Sequence, residues 1–232
     1  MTDRVECKLK AKELLRGRWG NAAGMCLILF LLNTAVSFFL TPIPILGLII
    51  VSMFSAFFLG TVINYFKKLT ETDEKIKYTE CFITLNKSCK IFVFKIIVGI
   101  IIFLLVFWGS TFSVSFIMIG IATLEGVSLL LALLLGIVVF LLFLLLDAIF
   151  FAVPMILVDE ENIGIFEAVK KSFNISKGFR IKYIVIRLSF IGWAMLTVLT
   201  FGIGMFWLYP YMNLTLFIFY RGLNKNTEFD LN

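Results

Sequence analysis

The sequence predicts an all-α, polytopic membrane helical bundle of six transmembrane helices in three hairpins, with amphipathic helices on the cytoplasmic side. Hydrophobic residues make up 61% of the 232 positions and charged residues only 16%, against roughly 45–50% and about 25% in ordinary globular proteins. A soluble domain of this size could not bury so many apolar side chains, because its surface needs polar cover. The composition therefore excludes a soluble globular protein.

Six apolar stretches approach the ~20 residues that a helix needs to cross a hydrocarbon core about 30 Å thick. Within one membrane domain covering residues 1–232, we place the spans near residues 20–40, 44–66, 91–119, 127–158, 181–200 and 203–220. The third and fourth spans are longer than the bilayer is thick, so we expect them to tilt, kink or protrude. Pro154 gives the fourth span a place to kink, because proline removes one helical hydrogen bond.

The distribution of the 21 basic residues predicts the orientation of the chain. All of them fall in the following segments: residues 1–19, 67–95, 170–187, Arg221 and Lys225. The short connections at residues 41–44, 120–126 and 201–202 contain no Lys or Arg. By the positive-inside rule, the basic segments are cytoplasmic and the short turns face outward. An even number of spans then places both termini in the cytoplasm.

A charged segment with helical apolar spacing precedes each predicted hairpin. Within residues 1–19, a cytoplasmic amphipathic helix, the apolar stripe consists of Cys7, Ala11, Leu14 and Leu15. Similar spacing recurs in two later sets: Phe82, Leu85 and Cys89, and Phe166, Val169 and Phe173. Such helices can lie in the plane of the interface with lysines against anionic lipid headgroups. The alternative is that they are surface segments packed on the bundle.

Asp147 is an acidic residue inside a predicted span, twelve positions before Asp159. Along a continuous helix this distance is about 18 Å, which places the carboxylate near mid-bilayer. An isolated charge there costs a few kcal/mol or more, so we expect a partner or a proton. Arg187, inside the fifth predicted span, is the candidate partner. The two residues form either a proton or cation site or a structural ion pair between helices.

Other polar and small residues in the spans predict helix contacts. Asn33 and Asn213 are amides in apolar surroundings, for which an interhelical hydrogen bond is the default interpretation and a substrate contact the alternative. Gly20 and Gly24 form a GxxxG motif, and Gly192 is a third small residue in a predicted span. We predict close helix packing at these three glycines.

Sequence motifs for enzymes and cofactors are absent. There is no P-loop and no Cys-x-x-Cys pair, and the lack of histidine excludes HExxH and Ser-His-Asp sites. Asp159, Glu160 and Glu161 are interpreted as charges at a helix N-terminus rather than as catalytic acids. We therefore expect no enzyme activity, no catalytic residues, no metal and no cofactor. The net charge of +6 is divided among segments that face lipid and does not indicate nucleic acid.

Several sequence blocks carry a family resemblance. They are residues 12–20 (KELLRGRWG), 154–157 (PMIL), Glu167-Ala168-Val169, Lys177-Gly178, 188–193 (LSFIGW), 199–204 (LTFGIG), Trp207 and Pro210-Tyr211. The chain resembles a family of bacterial integral membrane proteins catalogued as domain of unknown function number 975. The resemblance implies six helices and a plasma-membrane location but supplies no activity. The family often has an acid where Arg187 stands and a base near Asp147, which favours a structural pair.

These observations lead us to expect a non-enzymatic membrane protein that acts through lipids, a protein partner or self-association, as a scaffold, envelope-stress or immunity factor. The alternative is a transporter or permease subunit that uses Asp147 as a proton or cation site. A lipid-modifying enzyme is the third and least supported function. A water-filled cavity at Asp147 would favour transport, whereas a solid bundle with an exposed apolar groove would favour lipid or partner binding.

Overall fold

A computed structural model describes residues 3–40, 42–72, 76–123 and 126–229, and the described residues form helices and connecting turns without strands. The helices are α1 (Arg4–Leu15), α2 (Trp19–Leu40), α3 (Pro44–Glu71), α4 (Leu85–Thr123), α5 (Gly126–Phe150), α6 (Val153–Asp159), α7 (Ile165–Ser176), α8 (Arg180–Leu188), α9 (Ile191–Leu199) and α10 (Met205–Phe229). A short 3-10 helix, Tyr78–Cys81, precedes α4. The all-α prediction is confirmed for these residues.

Five segments within the described residues are long and apolar enough to cross a membrane: Trp19–Leu40, Ile45–Glu71, Leu85–Thr123, Gly126–Asp159 and Arg180–Leu199. The sixth predicted span, residues 203–220, is not among them, and neither six spans nor three hairpins is confirmed. Most of that stretch lies in α10, where tyrosines, Pro210 and Asn213 lower the hydropathy and Arg221 follows.

The fourth predicted span is interrupted at Phe151 and Ala152, between α5 and α6. Pro154 is the second residue of α6 and cannot donate a backbone hydrogen bond to the turn before it. Ser172 of α7 donates its hydroxyl to the carbonyl oxygen of Ile149, in the last turn of α5, at 2.6 Å. The interruption therefore lies beside the proline and is stabilised by a neighbouring helix.

The protein core includes α6, the middle of α10 and the buried face of α1, together with buried residues of α2 and α3. All residues from 214 to 220 in α10 are buried, as are five of the seven residues of α6. Cys7, Ala11 and Leu15 of α1 are buried, and α1 packs against α10 and α8. The stripe predicted for α1 is thus present, but it packs on the bundle, as the alternative interpretation stated.

The other two predicted amphipathic stripes face outward in the structure. Phe82, Leu85 and Cys89 are exposed, and Phe82 precedes the start of α4. In α7, Phe166 and Phe173 are exposed, whereas Ala168, Ser172, Ile175 and Ser176 form the buried face. Small side chains permit close contact with α5 and α6, and the larger phenylalanines remain outside.

Close helix contacts occur at glycines other than the three predicted. A Cβ atom on Gly20 or Gly192 would have no neighbour within 4 Å, and one on Gly24 would lie 3.4 Å from the Tyr78 hydroxyl. By contrast, a Cβ on Gly109 of α4 would lie 2.5 Å from Cγ2 of Val139 in α5. Gly60 makes an even closer approach to Ile83. Glycines do allow neighbouring segments to pack closely in this fold, but at positions other than those of the GxxxG motif.

Candidate functional site

Asp147 and Arg187 meet in a three-residue polar cluster that also contains Tyr183. Arg187 Nη1 lies 3.0 Å from Asp147 Oδ2. The Tyr183 hydroxyl donates to the same carboxylate oxygen at 2.9 Å and accepts a hydrogen bond from Arg187 Nη1 at 2.9 Å. Each member of the cluster therefore contacts the other two, and the carboxylate charge is compensated within the protein.

Tyr183 is the member of this cluster that sequence reasoning missed. Its side chain is 1% exposed and stacks on Phe151, with ring centroids 4.3 Å apart. It precedes Arg187 by four residues, so both side chains lie on one face of α8. This spacing was visible in the sequence and could have identified a tyrosine that holds the arginine toward α5.

Asp147 lies three residues before the end of α5 rather than inside one continuous helix. The helix that was expected to connect it to Asp159 is interrupted at Phe151 and Ala152. The expected distance of about 18 Å between Asp147 and Asp159 assumed an unbroken helix. The interruption removes the basis for that value.

A cavity of about 300 Å³ brings together three of the four predicted polar residues, Asp147, Arg187 and Asn213, with Tyr183. Its other lining residues are apolar. The Asn213 side chain donates to the carbonyl oxygen of Tyr209 at 2.8 Å, within its own helix, instead of to a neighbouring helix. The cavity thus surrounds a compensated ion pair and offers few polar groups to a solute.

Asn33 lies apart from this cluster, in a second cavity of about 360 Å³ that Ser55 and Lys95 also line. The Asn33 Oδ1 atom is buried and has no hydrogen-bond partner within the described part of the chain. Lys95 Nζ donates to Ser55 Oγ at 2.9 Å. We call Asn33, Ser55 and Lys95 the intramembrane polar cluster.

By its position in the sequence, Lys95 ends a basic segment predicted to be cytoplasmic and also falls within the third predicted span, residues 91–119. In the structure its ammonium group is level with Ser55, twelve residues along α3 from Lys67. That separation is about 18 Å on a straight helix. Lys67 pairs with Asp159 near the end of α3, where other charged residues gather. The Lys95 ammonium group is therefore level with the middle of α3. Lys95 itself is exposed and is the eleventh residue of its own candidate span, Leu85–Thr123.

A third cavity of about 420 Å³ is lined by aromatic residues from distant parts of the chain. We call it the aromatic groove, and its lining includes Lys12, Trp19, Trp193, Thr200, Gly204, Trp207 and Tyr211. No hydrogen bond or ion pair is found for Lys12 in the part of the chain that the structure describes. All seven of these residues belong to the sequence blocks that carried the family resemblance.

Lys8 joins α1 to the gap between α8 and α9. Its Nζ atom donates to the carbonyl oxygen of Ser189 at 3.3 Å and lies 4.1 Å from the ring centroid of Phe190. Burial and the neighbouring Arg4 lower the pKa of Lys8. A helix predicted to be cytoplasmic therefore contacts the middle of the fifth predicted span.

The backbone N–H groups of the turn between α9 and α10 all find hydrogen-bond acceptors nearby in the chain. Every N–H group from residue 200 to residue 208 donates a hydrogen bond within the segment. Thr200 contributes its hydroxyl as the acceptor for Gly204 N at 3.0 Å. Phe201, whose φ is +50°, is 97% exposed at the tip. A turn with no unpaired donor and an apolar tip is compatible with a hydrocarbon environment.

Charged residues form a network at the C-terminal ends of α3 and α6, beside Arg221 of α10. Asp159 pairs with Lys67 at 3.0 Å and with Arg221 at 3.6 Å, and Arg221 also pairs with Glu71. Lys87 donates to the carbonyl oxygen of Val158 at 2.9 Å. Asp159 and Glu160 stand at the C-terminal end of α6, not at a helix N-terminus as predicted. The basic partners offset the unfavourable position of these acids on the helix dipole.

The all-helical fold and its five apolar segments define a chain compatible with a multi-pass membrane protein, with no strands in the described residues. The chain belongs to the family described as Protein of unknown function (DUF975), whose model matches residues 1–227. Neither the comparison with curated proteins nor the comparison with solved structures gives a match.

Proposed function

We propose that the protein is a non-enzymatic, multi-pass protein of the bacterial plasma membrane that binds anionic phospholipids on its cytoplasmic side. The observation that carries this proposal is Lys12 in the aromatic groove, for which no hydrogen bond or ion pair is found among the described residues. Trp and Tyr side chains favour the headgroup level of a bilayer, and a basic residue there attracts anionic lipids. Apolar walls beside one ammonium group fit an amphiphile with an anionic head.

The arrangement of Lys8 and Lys12 supports a topology with both termini in the cytoplasm. Lys8 contacts the gap between α8 and α9, and Lys12 shares the aromatic groove with Gly204. The nine residues of α9 are about 14 Å long, half the thickness of the hydrocarbon core. In the topology that we propose, α2 to α5 cross the membrane, and α9 and α10 form a re-entrant hairpin in place of the fifth and sixth spans.

Cysteine accessibility tests this topology in a cysteine-free background. For Phe201→Cys, we expect no labelling by a membrane-impermeant maleimide from either side, because the tip lies in hydrocarbon. Leu46→Cys, near the start of α3, is the matched control and labels from outside. Labelling of residue 201 from outside would show a complete crossing and contradict the re-entrant hairpin.

The competing transport function is less well supported by the geometry. Asp147 already accepts hydrogen bonds from Arg187 and Tyr183, and most of the cavity beside it is apolar. A proton or cation site normally leaves its acid exposed to a polar path. The test is to measure proton or cation flux into proteoliposomes. A flux that Asp147→Asn abolishes would support transport as the function of the protein.

Tryptophan quenching tests lipid binding directly, because three of the four tryptophans line the aromatic groove. Trp108→Phe removes the fourth. In nanodiscs, we expect phosphatidylglycerol with brominated acyl chains to quench more than brominated phosphatidylcholine at the same mole fraction. Lys12→Ala should reduce this preference about fivefold, since one surface lysine contributes roughly 1 kcal/mol.

The control for this experiment is Lys170→Ala, which removes an exposed lysine of α7 that does not line the groove. It should leave the preference for phosphatidylglycerol unchanged. Equal quenching of the parent protein by the two lipids would contradict the proposed function.

A further inference from the structure

The intramembrane polar cluster contains two polar groups without adequate partners. Lys95 Nζ has one hydrogen bond, to Ser55 Oγ, and no ion pair with an acid in the described residues. Asn33 Oδ1 is a buried acceptor for which no described residue supplies a donor. Both groups line the same cavity of about 360 Å³. Unpaired ammonium groups and carbonyl oxygens are costly within a bilayer, so their convergence on one cavity indicates a ligand that satisfies both.

The remaining walls of this cavity specify an apolar body for that ligand. Phe30, Phe58 and Phe206 are among the lining residues, and no acidic residue is present. The volume is at the lower end of the roughly 300–1,000 Å³ found for small-molecule sites. A single acyl chain suits such a space better than a two-chain phospholipid does.

The depth of the cavity limits which polar head group the ligand can have. Ser55 lies near the middle of the 28-residue helix α3. A phospholipid phosphate is permanently charged and remains at the interface, whereas a carboxylic acid can enter hydrocarbon in its neutral form. The hydroxyl of the neutral acid donates to Asn33 Oδ1, and its carbonyl oxygen accepts from Lys95. We therefore propose that the intramembrane polar cluster binds the carboxyl group of a long-chain fatty acid.

The proposal is independent of phospholipid binding in the aromatic groove, because the two sites share no lining residue. The Lys95 site also differs from the Asp147 cluster, where the acid and base compensate each other. If Lys95→Met does not change fatty-acid labelling, the proposal of phospholipid binding at the aromatic groove still stands. If Lys12→Ala does not change the lipid preference, the proposal of a fatty-acid site still stands.

A photoreactive palmitate analogue with a diazirine in its acyl chain tests the proposal in phosphatidylcholine nanodiscs. We expect saturable adducts, mapped by mass spectrometry to the cavity walls in α2 and α10, that excess unlabelled palmitate prevents. Lys95→Met should lower adduct formation about tenfold or more, because a charge-assisted hydrogen bond is lost. Asn33→Leu should lower it as well, and it provides a second variant should Lys95→Met fail to fold.

Lys90→Met is the matched control, since Lys90 is on the same helix but donates to the carbonyl oxygen of Ile163 at 2.9 Å. Its adduct yield should equal that of the parent protein. A photoreactive hexadecanol analogue should label the cavity less than the palmitate analogue does, because its single oxygen must replace both the hydroxyl and the carbonyl oxygen of the carboxyl group. Equal labelling of the parent and Lys95→Met proteins would overturn the proposal, as would stronger protection by phosphatidylglycerol than by palmitate.

Discussion

The outer hairpin, residues 97–123 of α4 and 126–145 of α5, contrasts with the inner core formed by α1, α6 and residues 214–220 of α10. In the outer hairpin, the buried residues among those described are all small: Gly109, Gly120, Ser128 and Ala132. Most of its large apolar side chains are exposed, and the others are half-buried. In the inner core, large side chains such as Phe217, Phe219 and Tyr220 are fully buried.

The contrast teaches that apolar composition does not predict burial in this chain. The two most apolar candidate spans, Leu85–Thr123 and Gly126–Asp159, are also the two least buried. Lipid tails are as apolar as leucine, so such helices gain little by packing large side chains together and associate through small residues. The less apolar α1 and α10 contain charged or polar residues and form much of the protein interior.

The largest expected difference comes from truncating one phenylalanine in each region. Phe217→Ala should lower the free energy of unfolding by about 3–5 kcal/mol, because the side chain is buried and leaves a cavity. Phe140→Ala, in the outer hairpin, removes an exposed side chain and should cost less than about 1 kcal/mol. Unfolding in SDS, followed by circular dichroism, measures both. Equal losses would remove the distinction between the two regions.

A smaller effect is expected at the boundary between the regions, where Asp147 pairs with Arg187. Replacing either residue with Ala leaves one charge without its partner and should cost about 2 kcal/mol, less than for a fully buried pair because both side chains are partly exposed. The exchange Asp147→Arg with Arg187→Asp should recover part of the loss in the same unfolding assay. No recovery in the double variant would argue against direct pairing.

Gly109→Val tests whether small residues hold the outer hairpin together. The added Cβ would lie 2.5 Å from Cγ2 of Val139, so the two helices must separate, at a cost of about 1–2 kcal/mol. Gly99→Ala on the same helix has no neighbour within 4 Å and should be neutral or slightly stabilising. The unfolding midpoints of the two variants in an SDS titration are compared. Identical midpoints would show that the hairpin does not depend on the contact at Gly109.

Thiol reactivity probes the inner core without changing its stability. Burial and the neighbouring Glu6 raise the pKa of Cys7 to about 11, whereas Cys89 is exposed. Since the thiolate is the reactive form, only about 0.1% of Cys7 is reactive at pH 8, and its rate should rise tenfold per pH unit up to about pH 11. Iodoacetamide labelling analysed by peptide mass spectrometry should therefore modify Cys89 first. Faster modification of Cys7 would show that α1 leaves the core.

Several features of the fold could be predicted from the sequence because they depend on local composition. The all-helical architecture and five long apolar segments follow from apolar runs of spanning length, and the stripe of α1 follows from its 3.6-residue period. The helix interruption lies beside Pro154. The glycine contacts were not predictable, because close approach at Gly109 depends on which residue of α5 faces it.

Some residues of the candidate sites could likewise be predicted from the sequence, and others could not. Asp147 and Arg187 could be selected from the sequence because a charge in an apolar run requires compensation, and they do pair. Tyr183 was missed because a tyrosine in a span has no comparable requirement. The contact of Lys95 with Ser55 was not predicted, because it depends on how α3 and α4 pack against each other.

By itself, the sequence determined that the chain is helical, where its long apolar segments lie and that Asp147 requires a partner, since these properties depend on residues close together in the chain. Only the tertiary structure decided where the charges meet and which helices are buried. It also brought Lys12, Trp193 and Trp207 to one groove. These contacts depend on the register between helices distant in sequence, and that register is determined by how side chains from different helices fit together in three dimensions.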